Sequence, residues 1–216
     1  MLFETLKKNS RFFICYTLFL VAGGVLQLLY SQEELFLIIN SKNSPLADFF
    51  FYWITHLGDG LVFIILFVGL IFYRYRLALL GFLMFAFTSI VAQVLKRGFF
   101  EDAFRPIVTL GEKYNLHIVE GVVPVVWYSF PSGHTVSAFA LALFLVVAFN
   151  LKKTGWLLCF MAIVIGYSRV YLVHHFFEDI YFGSIIGVVV GLGVYLIANR
   201  KLQTRFGDNK LGKNEN

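Results

Sequence analysis

The stretch that organises this chain reads SRVYLVHHFFED, at residues 168–179, and a second polar stretch, PSGH, precedes it at residues 131–134. Together they carry three histidines, an arginine, two serines and two acidic residues, in a chain that is otherwise mostly apolar. Ionisable groups beside a bilayer are energetically costly, so they mark a functional site by default. We therefore look for chemistry in these two stretches.

The composition indicates an integral membrane protein. Of 216 residues, 59% are hydrophobic and 14% are charged, whereas a soluble domain is about half apolar and about a quarter charged. The net charge is +5, but the basic residues flank apolar runs and so favour membrane orientation over nucleic-acid binding. Cys15 and Cys159 lie in apolar runs without metal-ligand spacing, so no disulfide framework or zinc site is indicated. We expect one membrane domain over residues 1–216.

Six apolar segments approach the length of about 20 residues that crosses a bilayer. They are residues 12–30, 57–73, 77–95, 135–149, 156–173 and 180–198. Residues 35–52 are apolar but interrupted by Pro45 and polar residues, which favours one or two interfacial helices over a span, with a short re-entrant segment as the alternative. The predicted fold is thus an all-α polytopic bundle of about six transmembrane helices, with short interfacial helices on the outward side. We expect a flexible tail over residues 200–216.

The distribution of basic residues predicts the orientation in the membrane. The N-terminus, the turns at residues 74–76 and 150–155, and the C-terminal tail are all basic. Alternate crossing puts them on one side, which is the cytoplasm by the positive-inside rule. Residues 96–134 and 169–179 then meet at the outward surface of a cytoplasmic (inner) membrane, facing the periplasm or exterior.

The spacing of His175 and Asp179 predicts a histidine oriented by a carboxylate. Residues four apart share one face of a helix, so the carboxylate can bind one ring nitrogen and leave the other free and basic. That arrangement is typical of a nucleophile or base. His174 and Glu178 have the same spacing, and a plain polar helix end is a further interpretation. Periodicity alone leaves these alternatives open.

The PSGH stretch comes just before an apolar segment, where a helix should begin. Ser132 can cap that helix, and Gly133 allows close backbone approach to a ligand. Free amides at a helix N-terminus bind anions, and His134 beside them can supply a proton. By itself such a tetrapeptide is often only a helix N-cap.

Three cations at the same predicted surface suit a phosphate group: Lys96, Arg105 and Arg169. Guanidinium groups match phosphate oxygens in pairs, and a lysine adds a point charge. Basic residues near a membrane can also anchor headgroups, which is the interpretation we favour for Arg97. Fixed cations, a helix start and two histidines at one surface favour phosphoryl transfer through a histidine.

In this order the motifs resemble those of the type 2 phosphatidic acid phosphatase superfamily, whose members also include soluble acid phosphatases and vanadium haloperoxidases. The matching residues are Lys96 with Arg105-Pro106, Pro131-Ser132-Gly133-His134, and Ser168-Arg169 with His175 and Asp179. The resemblance runs from about the third predicted span to the sixth. In the family the first-motif lysine usually precedes the arginine by seven positions, where this chain has Gly98. Lys96 is our choice for that role, and Arg97 is the alternative.

The resemblance implies a role for each residue. His175 would be the nucleophile, Asp179 would orient it, and His134 would protonate the leaving alkoxide. The phosphate oxygens would be held by Lys96, Arg105, Ser132, the Gly133 amide and Arg169. Water would then cleave the phosphohistidine, without a metal ion or cofactor.

The predicted function is therefore a membrane lipid phosphatase acting on a phosphomonoester or pyrophosphate. The substrates that the resemblance implies are undecaprenyl pyrophosphate, phosphatidic acid, phosphatidylglycerol phosphate and lipid A phosphates. A phosphotransferase that passes the group to a second lipid or sugar would use the same site. A transporter or lipid-binding protein is disfavoured, because polar groups concentrate at one surface and no internal repeat is evident.

Overall fold

The computed structural model describes residues 1–206, and all regular secondary structure within that range is helical. Numbered along the chain, the helices are α1 (Leu2–Lys8), α2 (Ser10–Leu29), α3 (Gln32–Asn40), α4 (Pro45–Ile54), α5 (Gly60–Tyr73), α6 (Tyr75–Gly98), α7 (Pro106–Leu110), α8 (Gly133–Ala148), α9 (Gly155–Tyr171) and α10 (Phe177–Phe206). A 3₁₀ helix, Thr55–Gly58, continues α4.

The prediction of an all-α membrane bundle is confirmed, and the predicted count of six transmembrane helices is approximate. Within residues 1–206, α2, α6 and α10 are long and apolar enough to span a membrane. A fourth crossing results if α4, the 3₁₀ helix and α5 form one broken span, bent by 51°. The apolar helices α8 and α9 have only 16 and 17 residues. Both have an end among the polar residues of the two motifs, which shortens their apolar length.

The region predicted to be interfacial forms α3 and α4, each with its own start signal. A capping box joins Ser31 and Glu34 at the beginning of α3. The Ser44 side chain accepts a hydrogen bond from the Ala47 amide, and Pro45 occupies the first turn of α4, where a missing N–H costs little. Helix α4 differs from the prediction because it continues through the 3₁₀ helix and, together with α5, forms the bent pair.

The C-terminal segment also differs from its prediction. Residues 200–206 belong to the last turns of α10 rather than to a loose tail. Leu202 packs against the hydrophobic core, and the Phe206 ring lies edge-on to Tyr75 with centroids 4.7 Å apart. These apolar contacts extend the helix beyond its purely hydrophobic part. The remainder of the predicted tail, residues 207–216, lies outside the described residues.

Helix α8 lies at the centre of the bundle and packs against α6, α9 and α10. Two glycines of α10 allow the backbones of α8 and α10 to lie close together. A Cβ atom at Gly183 would lie 2.9 Å from the Ser132 carbonyl oxygen, and one at Gly187 would lie 2.6 Å from that of Val136. Real side chains almost never tolerate such distances. The glycines therefore hold the start of α8 directly against the first turns of α10, which brings the two motifs together.

Candidate active site

The Asp179 carboxylate accepts several hydrogen bonds at the end of the bundle where α10 begins. Its Oδ2 atom accepts hydrogen bonds from Ser129 Oγ at 2.5 Å, from the Phe176 amide at 2.9 Å and from His175 Nδ1 at 3.1 Å. With Nδ1 donating to a carboxylate, Nε2 of a neutral imidazole carries the free lone pair. The side chains of His175 and Asp179 are each 2% exposed, so this pair is held rigidly.

Of the two histidine–acid pairs that the spacing left open, the structure forms the one between His175 and Asp179. The Glu178 amide instead donates to Gln32 Oε1 at 2.9 Å, and no described hydrogen bond joins Glu178 to His174. The His174 side chain is buried, and its Nδ1 atom has no hydrogen-bond partner among the described residues.

The turn between α9 and α10 sets the position of His175. Val173 has φ of 60°, in the left-handed region that costs a β-branched residue roughly 1–2 kcal/mol. After this turn, the amides of His174 and His175 both donate to the Arg169 carbonyl, at 3.0 and 3.1 Å. Backbone strain of this kind is often found at functional sites. Here it brings His175 back over the last turn of α9.

The environment of His175, between α9 and α10, favours its neutral form. Burial lowers the pKa of His175 well below its usual value, and the positive charges of Arg105, Arg169 and Lys96 lower it further. Only the neutral imidazole has a lone pair with which to attack. The site thus keeps this ring in a nucleophilic form even in mildly acidic solution.

The PSGH stretch begins α8 as predicted, although the predicted side-chain cap does not form. Ser132 occupies the N-cap position, but its Oγ accepts a hydrogen bond from Thr135 Oγ1 at 3.0 Å instead of from a backbone amide. Its own amide donates to the Asp179 carbonyl at 3.0 Å. A Cβ atom at Gly133 would meet no protein atom within 4 Å. The backbone at Gly133 therefore has free space on its Cβ side, where a ligand can approach closely.

The predicted cations are held by different parts of the chain. Arg169 Nη1 donates to Thr55 Oγ1 at 2.7 Å, and its buried Nε has no hydrogen-bond partner within residues 1–206. Arg105 donates to the carbonyl oxygens of Trp127 at 2.9 Å and His174 at 3.1 Å. These bonds tie the loop before α8 to the α9–α10 turn.

Lys96 and Arg97 differ in which way they face. The two are consecutive in α6, and successive helical residues are rotated by about 100°. Lys96 is buried at 9% exposure and interacts electrostatically with Arg105, Asp179 and Arg169, whereas Arg97 is exposed. The geometry therefore favours Lys96 for the role in the first motif.

The polar segment between α4 and α5 was not predicted from the sequence. Besides Thr55, which binds Arg169, this segment contains Asp59, whose Oδ1 lies 2.6 Å from His134 Nε2. The other oxygen, Oδ2, lies 3.0 Å from His56 Nδ1. A signal was present, since Asp59 is an ionisable residue inside a predicted span, and such residues are functional candidates by default.

A cavity of about 200 Å³ opens beside these groups. Its polar walls include His134, Arg169, His174, Asp59 and His56. A larger groove of about 690 Å³ lies between α2 and α9 and is almost entirely apolar. The small cavity thus offers the polar surroundings that a phosphate ester needs, next to Arg169 and the start of α8.

These features define a class: a helical multi-pass membrane protein in which a histidine held by a carboxylate lies among several cations. A model of the PAP2 superfamily matches residues 77–203, and the chain belongs to this family. It is 30% identical over 176 residues to a lipid A 4'-phosphatase of Porphyromonas gingivalis, covering 77% of this chain and 72% of the relative. The predicted family and the predicted phosphatase activity are thereby confirmed.

Two crystal structures share the fold. LpxE of Aquifex aeolicus has a TM-score of 0.65 and 31% identity, covering 76% of this chain and 93% of the other. A transmembrane PAP2-type phosphatidylglycerolphosphate phosphatase from Bacillus subtilis has a TM-score of 0.63 and 24% identity, covering 88% and 96%. The helical arrangement is thus that of membrane PAP2 proteins.

Proposed function

We propose that this protein hydrolyses a membrane lipid phosphate through a phosphohistidine on His175. The observation that carries the proposal is the buried His175–Asp179 pair. It orients a neutral imidazole whose free nitrogen lies in a region of positive charge. Positioning and charge stabilisation supply most of the catalysis in phosphoryl transfer, so these groups suit the reaction.

In the proposed reaction, Nε2 of His175 attacks phosphorus and the bond from phosphorus to the leaving oxygen breaks. His134 gives that oxygen a proton, which releases the lipid alcohol. A water molecule then attacks the phosphohistidine and returns a proton to His134, so that inorganic phosphate leaves and the enzyme is restored. The transferred oxygens are held by Lys96, Arg105, Ser132, Gly133 and Arg169.

We propose a phosphate monoester of the lipid A type as the substrate. The relative from Porphyromonas gingivalis that shares 30% identity is named for that reaction. The residues that line the cavity beside His134 include His56 and Tyr52, whose polar groups suit the hydroxyl groups of a sugar. Phosphatidic acid, phosphatidylglycerol phosphate and undecaprenyl pyrophosphate are the comparison substrates.

We further propose that residues 1–216 form one catalytic domain in the inner membrane, with both termini cytoplasmic and the site facing outward. The basic turn at residues 74–76 and the basic N-terminus support this orientation. Reporter fusions test it directly. Alkaline phosphatase joined after Gly121 should be active, and the same reporter joined after Lys153 should be inactive. The reverse pattern would contradict the orientation.

Phosphate release by the purified, detergent-solubilised protein tests the proposed reaction. The panel contains the four lipids above, each assayed with and without EDTA. We expect release to survive EDTA, to be highest for the lipid A phosphate and to vanish in His175→Ala. The matched control is His174→Ala, which removes the neighbouring ring and should cause a much smaller loss. Loss of activity in EDTA, or full activity of His175→Ala, would overturn the proposal.

A further inference from the structure

The break between α4 and α5 packs directly onto the first turn of α8. A Cβ atom at Gly58 would lie 2.7 Å from Ile165 Cγ2 and 3.1 Å from the His134 carbonyl oxygen. A larger residue at this position would therefore push the segment away from α8. The chain then turns by 51° into α5. This close approach places the Asp59 side chain against the His134 ring.

Each carboxylate oxygen of Asp59 contacts a different histidine. Oδ1 lies 2.6 Å from His134 Nε2, and Oδ2 lies 3.0 Å from His56 Nδ1. His56 is 55% exposed, while His134 and Asp59 are 30% and 38% exposed on the cavity side. With Nε2 of His134 bound to Asp59, none of the described hydrogen bonds engages the other ring nitrogen, Nδ1.

The charges around His134 give Asp59 a specific task. Burial, and then the positive charges of Arg169 and Arg105, disfavour a further positive charge on His134, and Asp59 in direct contact opposes them without fully offsetting them. His174 and His175 also interact electrostatically with His134. A general acid must carry a proton when the reaction begins. A carboxylate in direct contact stabilises that protonated ring among the surrounding cations.

We propose that Asp59 is a positioning residue that aims His134 at the leaving oxygen and favours the protonated form of its ring, with His56 contacting the second carboxylate oxygen. This inference rests on the proposed function. As the phosphorus–oxygen bond breaks, the proton on the free nitrogen of His134 passes to the leaving oxygen. Asp59 exchanges no proton with the substrate in this step.

The test compares two phosphate monoesters that carry the same dodecyl tail, one an alkyl ester and one a nitrophenyl ester. An alkoxide needs a proton in order to leave, whereas a nitrophenolate leaves without one. In Asp59→Asn we expect kcat for the alkyl ester to fall by about 10²-fold, the range of general acid catalysis. For the nitrophenyl ester we expect a loss below about threefold. KM should change little for either ester.

The pH profile gives a second readout that a purely structural role would not move. Without the carboxylate, His134 loses its proton more easily, so the alkaline limb for the alkyl ester should shift to lower pH. Asp59→Glu should restore part of the rate. The matched control is Asp48→Asn, because Asp48 Oδ1 lies 2.9 Å from His117 Nε2 but outside the cavity. The Asp48→Asn variant should change kcat for the two esters by the same factor.

Equal losses on both esters, or an unchanged pH profile in Asp59→Asn, would overturn the inference. So would an Asp59→Asn protein that matches the wild type on the alkyl ester. Failure of the proposed function has a different signature. In that case the wild type would release phosphate from neither ester, or His175→Ala would be as active as the wild type.

Discussion

Two of the histidine–aspartate pairs at the end of the bundle where α10 begins, His175–Asp179 and His134–Asp59, are built differently. In the pair of His175 and Asp179 both side chains are 2% exposed, and one carboxylate oxygen accepts three hydrogen bonds. In the pair of His134 and Asp59 the side chains are about a third exposed, and the carboxylate is shared with a second histidine. The difference fits their proposed tasks. A nucleophile must be fixed, while a proton donor must reach a leaving group that arrives from outside.

Breaking the buried pair should have the largest effect. Asp179→Asn removes the negative acceptor and favours the wrong tautomer of His175, a change that costs about 10⁴-fold in hydrolases that use an aspartate–histidine pair. We expect a loss of about 10³-fold to 10⁴-fold in kcat, measured as initial phosphate release. Glu178→Gln, which alters the adjacent carboxylate, is the control and should retain most activity. Comparable losses in the two variants would contradict the distinction between them.

The cations beside the buried pair provide a second comparison. Lys96 faces Asp179 and Arg169, whereas Arg97 is exposed. Removing a fixed charge that stabilises the transition state costs about 10²-fold to 10³-fold, so Lys96→Ala should lose about 10²-fold in kcat/KM. Arg97→Ala should stay within about twofold of the wild type. If Arg97→Ala were the more damaging variant, Arg97 would be the first-motif cation.

The pH dependence sharpens the contrast between the two histidines. Burial, and then the charge of Arg105, lower the pKa of His175. The ring therefore stays neutral at pH values below the ordinary pKa of a histidine. The acid limb of kcat/KM should therefore lie below about pH 6.5, the ordinary histidine value. Arg105→Gln removes a positive charge, raises the pKa of His175 and should move this limb to higher pH. An unchanged or lower limb would show that the Arg105 charge does not act on the nucleophile.

Much of the site could be predicted because local sequence determines it. Helix periodicity places Asp179 one turn after His175, and a serine and glycine before an apolar run mark the start of α8. The choice between His174 and His175 needed more than periodicity, because both have an acidic residue four positions later. The turn at Val173 decides it, and a valine gives no local signal for a left-handed conformation.

Neither the α4–α5 break nor the helical end of α10 was predicted, and the physical reasons differ. Averaged over a span, the apolar residues after Asp59 outweigh one carboxylate and two flanking glycines, so the predicted helix ran through the break. The end of α10 is polar by composition, yet contacts of Leu202 and Phe206 with distant parts of the chain keep it helical. Both features depend on tertiary packing. In the first case that packing also brings Asp59, an unforeseen acidic residue, to the site.

The central claim is that the phosphoryl group passes through His175, and trapping that intermediate tests it most directly. The protein is mixed briefly with ³²P-labelled lipid phosphate and quenched in alkali, where phosphohistidine is stable, before peptide mapping. We predict an alkali-stable, acid-labile label on the peptide that contains His175, and no label in His175→Ala. Label on any other residue, or hydrolysis of the lipid by His175→Ala at the wild-type rate, would contradict the account.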